Sequence, residues 1–139
     1  MKEKAKNFIE RMVNYAKTEK WEEVDKRIKE IRRYDVSEVV DIVQYLFQDE
    51  DGNIRDLAGT IVTELELKYL PQEKQQSVKE LLRKGIRDEH PYAKFRATIA
   101  AIKHRLYEKE DVYIMKDTLK KIQEEELREL AAFYLKKLE

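Results

Sequence analysis

The chain has 139 residues, 42% hydrophobic and 42% charged, with 29 basic and 29 acidic side chains balancing to a formal charge of zero. The length suits one domain able to bury most of its apolar surface. Zero net charge supplies no global pull toward nucleic acid or an anionic membrane, and the absence of cysteine excludes disulfides, thiolate metal sites and cysteine nucleophiles.

The opening MKEKAKNFIERM is charged throughout, which predicts no signal peptide, and no apolar run approaches the roughly 18 residues of a membrane span. A cytoplasmic location without membrane association is therefore expected. Abundant Lys and Glu without Cys also suits a thermophilic protein.

With only three Gly and two Pro, helical spacing runs the length of the chain. Phe8, Ile9, Met12, Val13 and Ala16 form a first apolar stripe, and Trp21, Val24, Ile28 and Ile31 a second. Thr18 is expected to cap the second helix, and Asp35 with Glu38 has capping-box spacing for the third. That helix carries Val39, Ile42, Val43, Leu46 and Phe47, and the next carries Ile54, Leu57, Ala58, Ile61, Val62 and Leu65. Gly59 inside the fourth stripe predicts close helix–helix contact, against a propensity cost near 1 kcal/mol.

Pro71 and Pro91 stand where first helical turns should begin, the fifth helix carrying Val78, Leu81, Leu82 and Ile86. Three more helices are predicted near 91–107, 111–122 and 124–138, with Asp111 as a cap. The helix after Pro91 is apolar on two faces, Ala93, Ala97, Ala100 and Ala101 on one and Phe95, Ile99, Ile102 and Leu106 on the other. Such a helix packs on both sides.

The stripes repeat. Moved forward by 39 positions, Val39, Ile42, Val43, Phe47 and Asp49 fall on Val78, Leu81, Leu82, Ile86 and Asp88. Moved by 73, Ile54, Arg55, Leu57, Ala58, Ile61, Val62 and Leu65 fall on Leu127, Arg128, Leu130, Ala131, Tyr134, Leu135 and Leu138. The segment DEDGNIRDLAGTIVTEL at 49–65, and more loosely EEELRELAAFYLKKL at 124–138, resembles the HEAT repeat, in the short version of phycobilin-lyase-type proteins.

The resemblance implies an all-α fold, an α–α superhelix of about four stacked helical hairpins. It forms a single domain over 1–139, with 1–34 a divergent first hairpin and 36–138 the repeats. It further implies that Asp49 or Asp51 ladders with Arg55 between neighbouring turns, and that the small residue lets paired helices approach. The middle repeat, DEHPYAKFRATIAAIKHRL, aligns with either Ala97 or Ile99 at the small position. The first register puts Lys94 at the arginine position, the second Arg96.

Catalytic chemistry finds little purchase. Ser37 and Ser77 lie in no nucleophile motif, the three glycines are isolated, and the calcium-loop likeness at 49–60 fails at Ile54 and Thr60. His90 reads as a turn or cap residue, while His104 and Glu108 share helical spacing but are too few to hold a metal. No enzymatic activity, cofactor or metal is expected.

The charges fall in blocks: acidic over 49–66, with Arg55 alone against them, and basic over 83–105, with Arg83, Lys84, Arg87, Lys94, Arg96, Lys103 and Arg105. Either the blocks neutralise each other across the stack or the basic one receives an acidic partner or nucleic acid, with Tyr92, Phe95 and Tyr107 available for stacking.

The leading expectation is a protein–protein interaction module. Its concave surface would be lined by solvent-facing Arg55, Asp56, Thr60, Thr63, Lys94, Arg96, Lys103 and Arg128. Binding of nucleic acid through the basic middle repeat is the alternative. Phe133 lies off its helix stripe and, if exposed, marks an oligomer contact in a chain expected to be a monomer or a homodimer.

Overall fold

A computed structural model describes residues 3–139. Eight α-helices follow one another: α1 Ala5–Lys17, α2 Trp21–Arg27, α3 Val36–Leu46, α4 Gly52–Glu64, α5 Gln72–Gly85, α6 Pro91–His104, α7 Val112–Lys121 and α8 Glu125–Lys137. Three short 3-10 turns, Ile28–Arg33, Leu67–Tyr69 and Lys109–Asp111, fill connections, and no strand occurs among the described residues.

Consecutive helices pair, α1 with α2, α3 with α4, α5 with α6 and α7 with α8. Between pairs, α1 meets α3 and α3 meets α5 in one row, while the turn at 28–33 meets α4, α4 meets α6 and α6 meets α8 in the other. The heart of the molecule is the α4–α6 contact. Helix α6 also packs on α5 and α7, so eight of its residues, Ala93, Phe95, Ala97, Thr98, Ile99, Ala100, Ala101 and Ile102, are buried. Apolar residues on two faces of one helix have become a helix enclosed on both sides.

Small residues set the spacing. A Cβ on Gly59 would stand 2.9 Å from the Cβ of Arg96 and 3.2 Å from the amide nitrogen of Ala97, so only Gly lets α4 come this close to α6. A Cβ on Gly85 would meet that of Ala97 at 2.6 Å. Both glycines thus close on α6 beside Ala97, which stands 39 positions after Ala58. The caps agree: Asp51 caps α4 by accepting from the Asn53 N–H, and His90, 39 positions on, caps α6 through Nδ1 from the Ala93 N–H.

Other ends match or depart from expectation for local reasons. Asp35 caps α3 from the Glu38 N–H at 3.3 Å, and Pro91 is the first residue of α6. Pro71 lies one residue earlier in its helix, at the N-cap of α5. Thr18 does not start α2. It closes α1, its hydroxyl donating to the Asn14 carbonyl, and the chain turns through left-handed Glu19 before α2.

Charged side chains stitch each hairpin to the next. Arg32 reaches Glu64 at 2.6 Å between the first and second. Arg55 grips Asp88, and Lys74 contacts Asp41 at 3.0 Å, between the second and third. Arg83 and Arg87 hold Asp111, and the Tyr92 hydroxyl donates to Glu124, between the third and fourth. Part of the large charged fraction thus serves the joints.

Candidate functional site

Arg55 is the central joint. Its Nε donates to Asp88 Oδ2 at 2.7 Å and Nη2 to Oδ1 at 3.0 Å, while Nη1 donates to the carbonyls of Asp49 and Glu50 at 2.7 and 3.0 Å. Asp49 and Asp88 play the same local part, each accepting the N–H two residues on, from Asp51 and His90. Burial raises the Asp88 carboxyl, but Arg55 and the His90 N–H outweigh it and hold the group below its usual range. The aspartate that Arg55 grips is thus that of the following loop.

Lys94 stands 39 positions after Arg55, and position 122, which is 73 after Asp49, holds Ile. Lys94 has no carboxylate partner among the described residues, so the Arg55–Asp88 pair has no counterpart there.

The second joint is a buried knot. Asp111, 0% exposed, accepts from Arg83 Nε at 2.7 Å, Arg87 Nη2 at 2.7 Å and the Glu108 N–H at 2.8 Å. Burial alone would raise this carboxyl; the bonds from Arg83, Glu108 and Arg87 together hold it at about 2. Lys79 pairs with Glu108, and Arg83 also reaches Glu110 at 2.8 Å. Residues 108–111 thus neutralise two cations of the basic block, Arg83 and Arg87. The acidic block contributes Asp88's partner Arg55 and a single contact, Asp56 with Arg96.

The remaining cations do not assemble into one patch. Lys84 is exposed on α5, beside Gln44 of α3 and Gln48 of the loop after it, while Arg96 and Lys103 belong to α6 on the opposite row. Lys103 Nζ donates to the Thr63 carbonyl at 2.6 Å, and His104 Nε2 to the Val62 carbonyl at 2.8 Å. With Arg32 Nε on the Glu64 carbonyl at 3.3 Å, they satisfy the open C-terminal end of α4. Burial lowers the His104 pKa, against the pull of its bond to the Val62 carbonyl. Arg105 adopts a left-handed conformation, φ 56°, and ends α6 while its side chain stays exposed. Arg128 is exposed on α8. Phe95 lies in the core and is closed to stacking, whereas Tyr92 is partly exposed but engaged with Glu124.

A concavity of about 290 Å³ opens on the α4–α6–α8 row, lined by Asp25, Ile28, Lys29, Thr60, Thr63, Glu64, Arg96, Ile99, Leu130 and Tyr134. Each of the four helical pairs contributes to it. Phe133 on α8 is 56% exposed, packs edge to face on Tyr134 with centroids 5.1 Å apart and lies under Lys137 Nζ at 4.9 Å.

Asp56 departs from the expected solvent-facing position. It is only 6% exposed, because Gly59 draws α6 down over that side of α4. Arg96 Nε stands 3.5 Å from its Oδ1, and that oxygen accepts no hydrogen bond among the described residues. Burial pushes the carboxyl up to about 6, with the Arg96 charge and the Thr60 hydroxyl pulling the other way. Arg55, half-buried in its joint, likewise does not face the concavity.

No group of three or more His, Asp or Glu able to hold a metal ion occurs among the described residues, and none of their helices is long and apolar enough to cross a membrane. No family model matches the chain, and searches of curated proteins and of solved structures return no match.

Proposed function

We propose that the chain is a short HEAT-like α–α superhelix of four hairpins that binds another protein along the concave row of α2, α4, α6 and α8, without chemistry of its own. The 39-residue register shared by Asp49 and Asp88, by Asp51 and His90 and by Ala58 and Ala97 supports the repeat reading, as does the Arg55–Asp88 joint. One observation carries the binding reading: a single concavity draws residues from all four hairpins, with apolar Ile28, Ile99, Leu130 and Tyr134 between charged and hydroxyl groups. An apolar centre with a polar surround is how protein-binding surfaces are built. The nucleic-acid alternative has less to stand on. Arg83 and Arg87 are spent on Asp111, and the remaining cations point from different rows.

A benzophenone cross-linker placed at Thr63, with Lys84 as the control position, tests this in lysate of cells expressing the chain. A discrete protein adduct is expected from Thr63, suppressed by Thr60→Arg. Adducts from Lys84 alone, or from neither position, would count against the concave face.

A further inference from the structure

The concavity couples an apolar floor to one exposed carboxylate without an ion-pair partner, Asp25, and one buried carboxylate with an oxygen that accepts no hydrogen bond, Asp56. Ile28, Ile99, Leu130 and Tyr134 supply the floor. Glu64 is already engaged by Arg32, but Asp25 at the rim is exposed and without an ion-pair partner among the described residues. Behind the wall made by Thr60 and Arg96 sits Asp56. It touches both wall residues: Thr60 donates to its carbonyl at 3.0 Å and Arg96 stands 3.5 Å from its Oδ1. A buried acceptor left without a donor is costly to the fold, and a well-made stack has little reason to keep one unless something else completes it.

The chemistry that completes it is a cation carried on an aliphatic stem. Lys and Arg bury their methylenes along apolar surface and keep the charged head toward polar groups. The concavity, about 290 Å³, is at the lower edge of the roughly 300–1,000 Å³ of small-molecule sites and suits one long side chain. An anionic ligand would draw on Lys29 and Arg96 instead, stripping Asp56 of its only nearby counter-charge.

We propose that the concavity receives a lysine or arginine side chain of a partner polypeptide, its stem on Ile28, Ile99 and Leu130 and its head between Asp25 and Asp56. The inference rests on the concave face being the binding surface and adds what that surface selects. Arg96 acts as the resident placeholder. Its contact with Asp56 is long for a hydrogen bond and its side chain is partly exposed, so it swings outward when the incoming cation arrives. Asp56 and Asp25 are then the groups that distinguish basic from acidic partners.

The test uses the full chain, 15N-labelled, titrated with the peptide Ac-Ala-Ala-Arg-Ala-Ala-NH2 and separately with its Glu counterpart. The Arg peptide is expected to move the amide signals of Asp25, Asp56, Thr60, Thr63 and Leu130, and the Glu peptide to leave them in place. Asp25→Asn, which touches no core contact, and Asp56→Asn are each expected to weaken the Arg peptide about tenfold, the loss of one charged contact. No groove shifts, equal shifts with both peptides, or full affinity in both variants would overturn the proposal. A Thr63 adduct without an Arg-peptide response would keep the binding face and remove the basic anchor.

Discussion

Asp56 and Asp111 are the two charged side chains buried among the described residues, and they could hardly be treated more differently. Asp111 is bonded by two guanidiniums and a backbone N–H, and its carboxyl is held at about 2. Asp56 has one distant guanidinium and an oxygen with no donor, and burial raises it to about 6. Burial by itself thus says nothing about which way a carboxylate moves; the donors around it decide. The first is a fastener between α5 and the start of α7. The second weakens the joint it sits in and borders a concavity shared by all four hairpins.

The largest expected effect comes from cutting the fastener. Asp111→Ala removes the acceptor for Arg83, Arg87 and the Glu108 N–H, and should cost about 3 kcal/mol, seen as an earlier urea midpoint at neutral pH. Asp56→Asn should move the other way. At pH 8 the native protein carries a buried charge there, so the amide is expected to stabilise by about 2 kcal/mol, with loss of the basic-peptide response.

The two sites also give opposite pH dependences. The Asp56 carboxyl lies above its unfolded value of 3.8, so the folded state holds the extra proton between about pH 4 and 6. Its contribution is full below pH 4 and lost as pH rises through 6, about 3 kcal/mol in all. The Asp111 carboxyl lies below 3.8, so its contribution is present above that value and is lost as pH falls toward 2, about 2 kcal/mol. Urea melts between pH 2.5 and 8 should therefore show a stability maximum near pH 4 to 5 that Asp56→Asn flattens on its alkaline side only.

Smaller effects sharpen the contrast between fastener and vacancy. Arg55→Lys loses the paired fork on Asp88 and should cost about 1–2 kcal/mol by the same melts, because a lysine cannot span Asp88 and the two loop carbonyls at once. The least is Arg105→Gly, which relieves a left-handed backbone at the end of α6 and should raise stability by up to about 1 kcal/mol.

Much of the helical framework is legible in the sequence because stripe periodicity and caps are local. Asp35, Pro91 and the two-faced α6 all do as their neighbours dictate. Joints are another matter. Nothing near Asp111 signals that Arg83 and Arg87, more than 20 residues earlier, will close on it. Asp111 reads as an N-cap because capping is the nearest use for an aspartate before a helix. The partner of Arg55 is likewise decided by which loops stack, and it is Asp88, not Asp49 or Asp51.

Asp56 escapes for a different reason. Helix-wheel position alone puts it beside Thr60 and Thr63 on an open face, but the neighbouring Gly59 brings α6 over it. One signal was available: moving α4 itself by 39 positions sets Asp56 on Phe95, a core residue. The 73-residue shift of the same helix sets Asp56 instead on Glu129, an exposed residue, so the two shifts disagree on this position. The basic block is misleading in the same way, since its residues are consecutive in the chain but divided between α5 and α6.

The most direct measurement is a carboxyl-13C NMR titration of the two aspartates in the same sample. Asp56 is expected to titrate near pH 6 and Asp111 to remain ionised down to about pH 2. An Asp56 midpoint at or below the ordinary 3.8 would mean that the carboxylate already has its donors, and the vacancy beside the concavity would not exist.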